Sequence, residues 1–502
     1  MAFVTVVNPC LVLQKNDPMT TGVVYLPVTL ASFAAALRKN GHRVQAVDCF
    51  GEAPNRFRSH AGFLIRGLKP NEIVARLGEP DLVVVYAGGV SNHFSIMELV
   101  RTVRAAKPST PIAVLENTQA VTAYSLRHVQ EEFYDAGATF VITGEGEERG
   151  VEMANLIASE PAHKIAGRID GVGTRWEGKT IYRAPNRQIE NLDALAFPAW
   201  DLFPLKNYWG LHYAHGPLSA RKYISVLTSR GCPYPCTFCI VPELNSRKWR
   251  ARGAKSVVDE MEHFIKTMGV HEFHFEDLNP TIQDARIREI CAEILRRGLK
   301  VSWKLVSGTK VETIKTEETA ALMAEAGCRY VSISPESGSQ RIMKLIKKPF
   351  LYDHAVKIIK ALSKVGVSTQ ACFVLGFPTE NDEDRAMTRQ MVRDLVKVGL
   401  DEIALFIITP IPGSELNGKI EGFSHYSELT FSPQWRQDYR SLNRFRLCLY
   451  RDFLFWKLIY HPFKILKQPF NFLFRRFQTK MEMVPYRALH TRIQLLLSHS
   501  GS

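Results

Sequence analysis

The 502-residue sequence lacks a disulfide framework. Six of its nine cysteines, Cys10, Cys49, Cys291, Cys328, Cys372 and Cys448, are scattered without pairing in their spacing. That excludes a small disulfide scaffold and points to a reducing interior. A long apolar run is missing too. The longest uncharged stretch near the start, 18–37, contains Pro18, Gly22 and Pro27 and reads as a loop entering a helix, not a bilayer span. No basic segment precedes the apolar start MAFVTVVNPCLV, so no secretory signal is expected. No short-period repeat or low-complexity tract occurs, and a hydrophobic content of 46% excludes global disorder. Acidic residues are in short supply: 64 Lys and Arg against 50 Asp and Glu give a net charge of +14. Such an excess suits nucleic acid, a membrane surface or an acidic substrate, and its location must decide.

What is present is an alternation of short β-rich runs with helix-period stretches. In 1–160 the runs FVTVV, RVQAVD, DLVVVY, PIAVLE and TFVITGE are separated by helical patterns over Val28–Lys39, His93–Ala106 and 125–136. This predicts an α/β domain with a doubly wound, Rossmann-like parallel sheet. Such sheets bind ligands at the carboxyl ends of their strands. Those ends read AGGVSNH, ENTQAV and TGEGEE, which makes Gly88, Gly89, Ser91, Glu116, Asn117, Gly144 and Glu145 the candidate binding residues. Residues 161–218 show no clear periodicity. Their FPAWDLFPLKNYWG segment is expected to be a linker that packs down between domains. The alternation resumes over 219–425 with six strand-like runs, from YISVLTS to EIALFIITP, separated by helical patterns over Ala254–Met268, 282–297 and 382–398. Six βα units in sequence predict a partial barrel with its chemistry at the strands' carboxyl ends. A basic, aromatic-rich helical region is expected over 426–502.

The stretch TSRGCPYPCTFCIVP follows the first barrel strand and gathers Cys232, Cys236 and Cys239 into C-x3-C-x2-C. A structural zinc site wants four closed ligands, and no nearby cysteine or histidine completes one. A closed iron–sulfur cluster also wants four thiolates. Three thiolates on a cubane leave one iron open to a ligand that reacts.

This spacing, with Phe238 before the last cysteine, resembles the radical S-adenosylmethionine superfamily. The segments FHFEDLNP, SISPESGSQRIMKLIKK, VLGFPTEN and TPIPGSEL resemble that superfamily's later motifs, in order. The resemblance implies a 4Fe-4S cluster on the three cysteines. It also implies S-adenosylmethionine contacts from Phe238, Glu276, Asp277, Glu336, Ser337 and Gly376. A doubly wound domain ahead of the barrel, with LPVTLASFAAALRKNGHRVQAVD, PDLVVVYAG and ITGEGEE, resembles the cobalamin-binding subgroup. It implies a corrin held over the barrel mouth by the glycine-rich loops. The sequence departs from many cobalamin domains in lacking D-x-H-x-x-G. His42 reads as a surface turn residue and His93 as a helix start, so cobalamin without a protein histidine ligand is the expectation.

The resemblance implies an enzyme that methylates an unactivated carbon of a small-molecule or lipid-type substrate. Radical cyclisation, oxidation or rearrangement with the same cofactors stays open, and no acid or base is assigned. A flavodoxin- or ferredoxin-type reductant is the implied protein partner. Methylthiolation would need three more cysteines in the first domain, which holds Cys10 and Cys49. An iron–sulfur electron carrier is the reading of another class, but it needs neither an open iron nor six βα units.

The charge excess sits in the tail. Residues 444–480 carry nine Lys or Arg and one acid, Asp452, with eleven Phe, Tyr or Trp interleaved. Pro462 and Pro469 break any single helix there. Basic residues alternating with bulky aromatics suit amphipathic helices in a membrane interface, whereas nucleic acid would waste the apolar bulk. A cytoplasmic protein resting peripherally on an anionic inner membrane face is the corresponding expectation. The competing expectation is a tail packed onto the barrel.

Overall fold

The computed structural model describes residues 1–15, 17, 20–60 and 62–499. The loop expected near the start therefore lies partly outside the described residues. Strands β1 (Phe3–Asn8), β2 (Arg43–Asp48), β3 (Leu82–Ala87), β4 (Ile112–Glu116) and β5 (Phe140–Ile142) pair in parallel in the order β2-β1-β3-β4-β5. β3 and β4 are buried along their whole length, as strands covered by helices on both faces must be. The strand order reverses between β1 and β3, the position where open sheets leave a crevice at their carboxyl edge.

Two antiparallel strands, β6 (Val172–Trp176) and β7 (Lys179–Tyr182), extend this sheet beyond β5. They come from the segment that the sequence reads as linker. Their outer residues are exposed and largely polar, so no apolar alternation marks them. The rest of that segment does pack down: Trp200, Tyr208 and Trp209 are buried in a core cluster that includes Phe33 and Leu115 of the first domain and Phe273 and Trp303 of the second.

The second sheet is built from β8 (Tyr223–Val226), β9 (Glu272–Phe275), β10 (Ser302–Thr309), β11 (Cys328–Glu336), β12 (Ser368–Leu375) and β13 (Glu402–Ile407). All five neighbouring pairs are parallel and follow chain order, with β8 and β13 at the two edges: a half-barrel with an open side. Helices Ala254–Met268, Asp284–Arg296 and Asp382–Lys397 lie between the strands. The first starts at the bound read from the sequence because its apolar residues Val257, Val258, Met261 and Phe264 recur at helical spacing, and it stops where Gly269 turns left-handed.

Helices Tyr439–Tyr460, Pro462–Leu466, Gln468–Phe474 and Lys480–His499 form the C-terminal region. Among the described residues no helix is long and apolar enough to cross a membrane.

Candidate active site

The cysteine loop is held at its root by a carboxylate. Asp277, just past β9, accepts hydrogen bonds from the Thr228 amide (3.0 Å), the Thr228 hydroxyl (2.7 Å) and the Ser229 hydroxyl (2.6 Å). Both its oxygens are thus spent on the exit of the first barrel strand. Gly231 then takes φ +79°, and a Cβ there would lie 2.0 Å from the Lys248 carbonyl oxygen, so the turn into Cys232 requires glycine. Cys232, Cys236 and Cys239 are half-buried. Burial pushes all three thiols up, Cys236 to about 11, although Lys348 pulls the other way. Metal coordination is what would draw off such protons.

The donor set fits an iron–sulfur cluster. Three thiols lie on one short loop beside a cation. Among the described residues no three His, Cys, Asp or Glu side chains converge closely enough for a single metal ion. A cluster, in which each sulfur serves its own iron, does not ask for that convergence.

Other predicted residues surround the loop. Phe238 meets Phe377 edge-on with ring centroids 5.6 Å apart, which seats the cysteine loop against the Gly376–Pro378 turn. Gly376 has φ +81°, and a Cβ would lie 2.6 Å from Leu442 Cδ1. Glu336 ends β11 in a left-handed conformation, φ 63°, and forms a buried ion pair with Lys348. It does not cap the next helix; Ser339 does, accepting from the Ile342 amide. Burial disfavours the charge on Lys348, yet the Glu336 carboxylate and the sulfurs of Cys236 and Cys232 hold it above the usual lysine range. Ser337 is fully buried, 3.3 Å from the Thr388 hydroxyl. Glu276 lies deeper in the lumen, 2.7 Å from His215 Nδ1 and 3.2 Å from the Ser307 hydroxyl.

The first sheet's carboxyl edge faces this loop. After β3, Gly88 accepts from Asn117 Nδ2 (2.9 Å), while Gly89 and Ser91 enter the short turn before helix His93–Ala106. Glu116 accepts from the Leu126 amide (2.9 Å) and the Gly144 amide (2.7 Å), tying the loops after β4 and β5 together. Glu145 reaches across to the barrel: Arg250 grips it at 2.8 and 2.9 Å, and Arg230 lies 3.5 Å away. Burial opposes the Glu145 charge, but Arg230 and Arg250 hold its carboxyl below the ordinary range. Glu147 pairs with Arg230 as well. The Gly231 amide donates to Gln119 Oε1 at 3.2 Å, so the loop after β4 touches the cysteine loop itself.

The sequence reading missed Lys348, Arg230, Arg250, Gln119 and His215. Lys348 and Arg230 lie inside the segments that drew attention, where the thiols, Phe238, Glu336 and Ser337 stood out. Nothing in one dimension links Glu145 to Arg250. One reading of the first domain is corrected: His42 is buried, not a surface turn residue, and its Nδ1 accepts from the Ala2 amide at 3.2 Å because the preceding turn folds it under β1. His93 begins its helix and is held between the Tyr124 hydroxyl and Glu132, both at 3.1 Å.

The sequence model of the Radical SAM superfamily matches residues 226–392. Cytidylyl-2-hydroxyethylphosphonate methyltransferase of Streptomyces wedmorensis is 30% identical over 467 residues, covering 86% of this chain and 85% of that protein. An uncharacterized methyltransferase of Pyrococcus horikoshii is 29% identical over 276 residues; the match covers 55% of this chain and just over half, 56%, of that protein. Among solved structures, the radical S-adenosylmethionine methyltransferase TsrM of Kitasatospora setae, with cobalamin and a [4Fe-4S] cluster bound, superposes with a TM-score of 0.62 at 17% identity, covering 83% of this chain and 74% of that one.

Proposed function

Because the chain belongs to the radical S-adenosylmethionine superfamily, we propose that it is a cobalamin-dependent C-methyltransferase acting on an unactivated carbon of a small-molecule or lipid-type substrate. The observation that carries this reading is the contact of two ligand edges. The cysteine loop at the carboxyl end of the half-barrel lies against the carboxyl edge of the doubly wound sheet, with Gly231 bonded to Gln119. One cofactor on each edge would meet its neighbour in the space between.

When bound, the cluster and S-adenosylmethionine supply a carbon-centred radical and the corrin supplies a methyl group. The protein's part is to hold and orient them and to exclude water. Cys232, Cys236 and Cys239 would hold the cluster, with Lys348 beside them offsetting the negative charge of three thiolates. Phe238, Glu276, Glu336, Ser337 and Gly376 would line the S-adenosylmethionine side. Asp277 would act through the loop it anchors, since its oxygens are already engaged. Gly88, Gly89, Ser91, Asn117 and Gly144 would meet the corrin, supported from behind by Glu116 and Glu145. The electron comes from outside the chain, and a flavodoxin- or ferredoxin-type protein suits that role.

Anaerobic reconstitution with hydroxocobalamin tests the proposal. The wild-type chain should bind about four irons and about one corrin and release 5′-deoxyadenosine from S-adenosylmethionine. Cys→Ala at 232, 236 or 239 should abolish that release. A triple variant that still forms deoxyadenosine would overturn the assignment.

We further infer peripheral membrane association through 444–480. Its support is exposure: Phe455, Leu458, Phe463, Phe470, Leu473 and Phe474 project into solvent, flanked by exposed Arg444, Arg451, Lys467, Arg475 and Arg476. Apolar side chains interleaved with arginine suit an anionic lipid surface.

A further inference from the structure

Two exposed basic tips bracket the cysteine loop. The first, 246–248, follows the short helix Val241–Asn245. Asn245 anchors it from inside. It is buried, its Nδ2 donates to the Thr118 carbonyl at 2.8 Å, and its carbonyl accepts from the Lys248 amide at 2.9 Å. The Lys248 carbonyl in turn packs so close to Gly231 that no Cβ fits there. The second tip, 344–351, begins at the end of helix Gln340–Leu345. Its Ile346 carbonyl accepts from the Thr237 amide, between Cys236 and Cys239, at 3.2 Å. A further link runs through Lys310, whose Nζ donates to the Pro349 carbonyl at 2.7 Å and lies 5.2 Å from the centroid of the Tyr234 ring.

Both tips carry charge that the molecule does not neutralise. Residues 244–258 hold five Lys or Arg and no acid, and residues 337–352 hold four and none. Arg250, Arg252, Lys255, Arg341 and Lys348 are each paired with a carboxylate, and Lys347 meets Glu415 at 3.0 Å. Arg247, Lys248 and Lys344 are exposed and make no ion pair among the described residues. Exposed Glu243, just before the first tip, is taken up by His128 at 3.0 Å. Apolar surface accompanies the charge: Leu345 and Leu351 on the second tip are 46% and 61% exposed. Apolar contact area with a charged rim is the anatomy of a protein–protein interface.

The tips are fixed in shape. Ser246, Arg247 and Lys347 take left-handed conformations, with φ of 49°, 54° and 55°. Side chains disfavour that region, and it persists where the surrounding structure imposes it. A preformed tip has little freedom left to lose on docking. The two are also close enough to act together. Their contacts on the cysteine loop, Gly231 and Thr237, are six residues apart, a separation of at most about 21 Å. A standard interface covers about 800 Å² on each partner, roughly 30 Å across.

We propose that 246–248 and 344–351 form the docking face for the electron donor, and that the donor is a one-electron carrier protein with an acidic rim around an apolar centre. The face rests on the enzyme reading above and adds to it where, and by what charge, the donor is recognised. Electron transfer between proteins weakens exponentially with separation, so the donor must dock close to the cysteines, and both tips touch their loop. The donor is oxidised by one electron and the cluster site reduced by one; no bond forms between the proteins. Arg247, Lys248 and Lys344 steer the acidic rim, and Leu345 and Leu351 seat the apolar centre.

The test uses the full chain reconstituted with cluster and hydroxocobalamin, and an acidic flavodoxin as the probe. Binding of oxidised flavodoxin is measured by calorimetry, and release of deoxyadenosine is driven either by reduced flavodoxin or by dithionite. Wild-type protein should bind flavodoxin saturably, and more weakly at high salt. Arg247→Glu/Lys248→Glu/Lys344→Glu should weaken binding by about tenfold or more and flatten its salt dependence, while Leu345→Ser/Leu351→Ser should weaken it with the salt dependence kept. Iron content, corrin content and dithionite-driven release should stay at wild-type values in both. Lys164→Glu/Lys179→Glu/Lys300→Glu makes the same charge change on exposed residues of other surfaces and should leave binding unchanged. No saturable binding by wild-type protein, equal binding by the charge-reversed tips, or an equal loss in the control variant would each overturn the proposal. So would charge-reversed tips that bind flavodoxin normally but no longer float with anionic vesicles, which would assign them to lipid. Tip-dependent flavodoxin binding by a chain that forms no deoxyadenosine with either reductant would leave the docking face standing and sink the enzyme reading alone.

Discussion

Glu116 does more at the candidate corrin edge than its place in a polar loop suggests. It is buried at the end of β4, and burial raises its carboxyl from 4.5 to about 7, against the two amides that favour the charged form. A carboxyl raised on folding makes its full contribution to stability below its unfolded value. That contribution is lost as pH rises through the folded value, because the folded state then gives up a proton it held more tightly. The window here runs from about 4.5 to about 7, and the loss across it is roughly 3 kcal/mol at about 1.4 kcal/mol per unit. Thermal midpoints measured between those limits should fall with pH in the wild-type chain and fall less in Glu116→Gln. The variant should carry a pH-independent penalty of about 1–3 kcal/mol, since an amide cannot accept from both Leu126 and Gly144. Identical pH slopes for the two proteins would show that Glu116 stays ionised throughout. The sequence singles out this residue by its position after a strand; that its oxygens tie two loops together depends on where residue 144 lies in space.

Between elements, a buried cluster of Arg230 and Arg250 with Glu145 and Glu147 ties the two domains together. It joins the loop and helix after β5 to the two short strands that flank the cysteine loop, Ser229–Arg230 and Arg250–Ala251. Removing one partner of such a pair leaves a buried charge and costs about 3–5 kcal/mol, whereas replacing both by apolar residues of similar size is close to neutral. Glu147→Ala should therefore lower the thermal midpoint and the iron content together, because Arg230 stands two residues before Cys232. The double variant Glu147→Met/Arg230→Met should recover most of the midpoint. Equal losses in the single and double variants would mean that the charges themselves, not their pairing, hold the edges together. Legibility at this scale followed periodicity. Val28–Lys39, His93–Ala106 and Ala254–Met268 were readable because apolar residues recur along each, and the six barrel strands because they are short apolar runs. β6 and β7 were not, since half-exposed polar strands leave no alternation. The Cys232–Cys239 spacing marks the candidate cluster site in the sequence itself, while the ion pairs spanning residues 145 to 250 exist only after folding.

At the scale of the whole molecule, the charge excess divides in two. Of the nine basic residues in 444–480, four turn inward: Arg446 donates to Ser432, Lys457 to the Asp401 carbonyl, Lys464 to the Asp401 carboxylate, and Lys480 to the lumen. The other five are exposed. On the membrane reading proposed above they would contribute roughly 5 kcal/mol, at about 1 kcal/mol for each basic residue near an anionic surface. Apolar burial would add to this: of the 24 large apolar residues exposed among the described residues, 15 lie between Leu447 and Leu497, and Phe463 is 76% exposed. A tail packed entirely onto the barrel would have hidden them. Deleting the tail would be a poor test, because it would also remove buried Phe477 and the helix whose Met481 amide donates to Glu402 on β13. Substitution of the exposed face avoids that. Wild-type protein should float with vesicles containing phosphatidylglycerol, less so at high salt and less so with phosphatidylcholine alone. Phe463→Ser/Phe470→Ser/Phe474→Ser should lose most of that partitioning, each phenylalanine being worth about 1.5–3 kcal/mol when fully buried in lipid, while iron content and thermal midpoint stay at wild-type values. Equal flotation of the two proteins, or none by either, would remove the membrane from this account and leave the exposed face to a different partner.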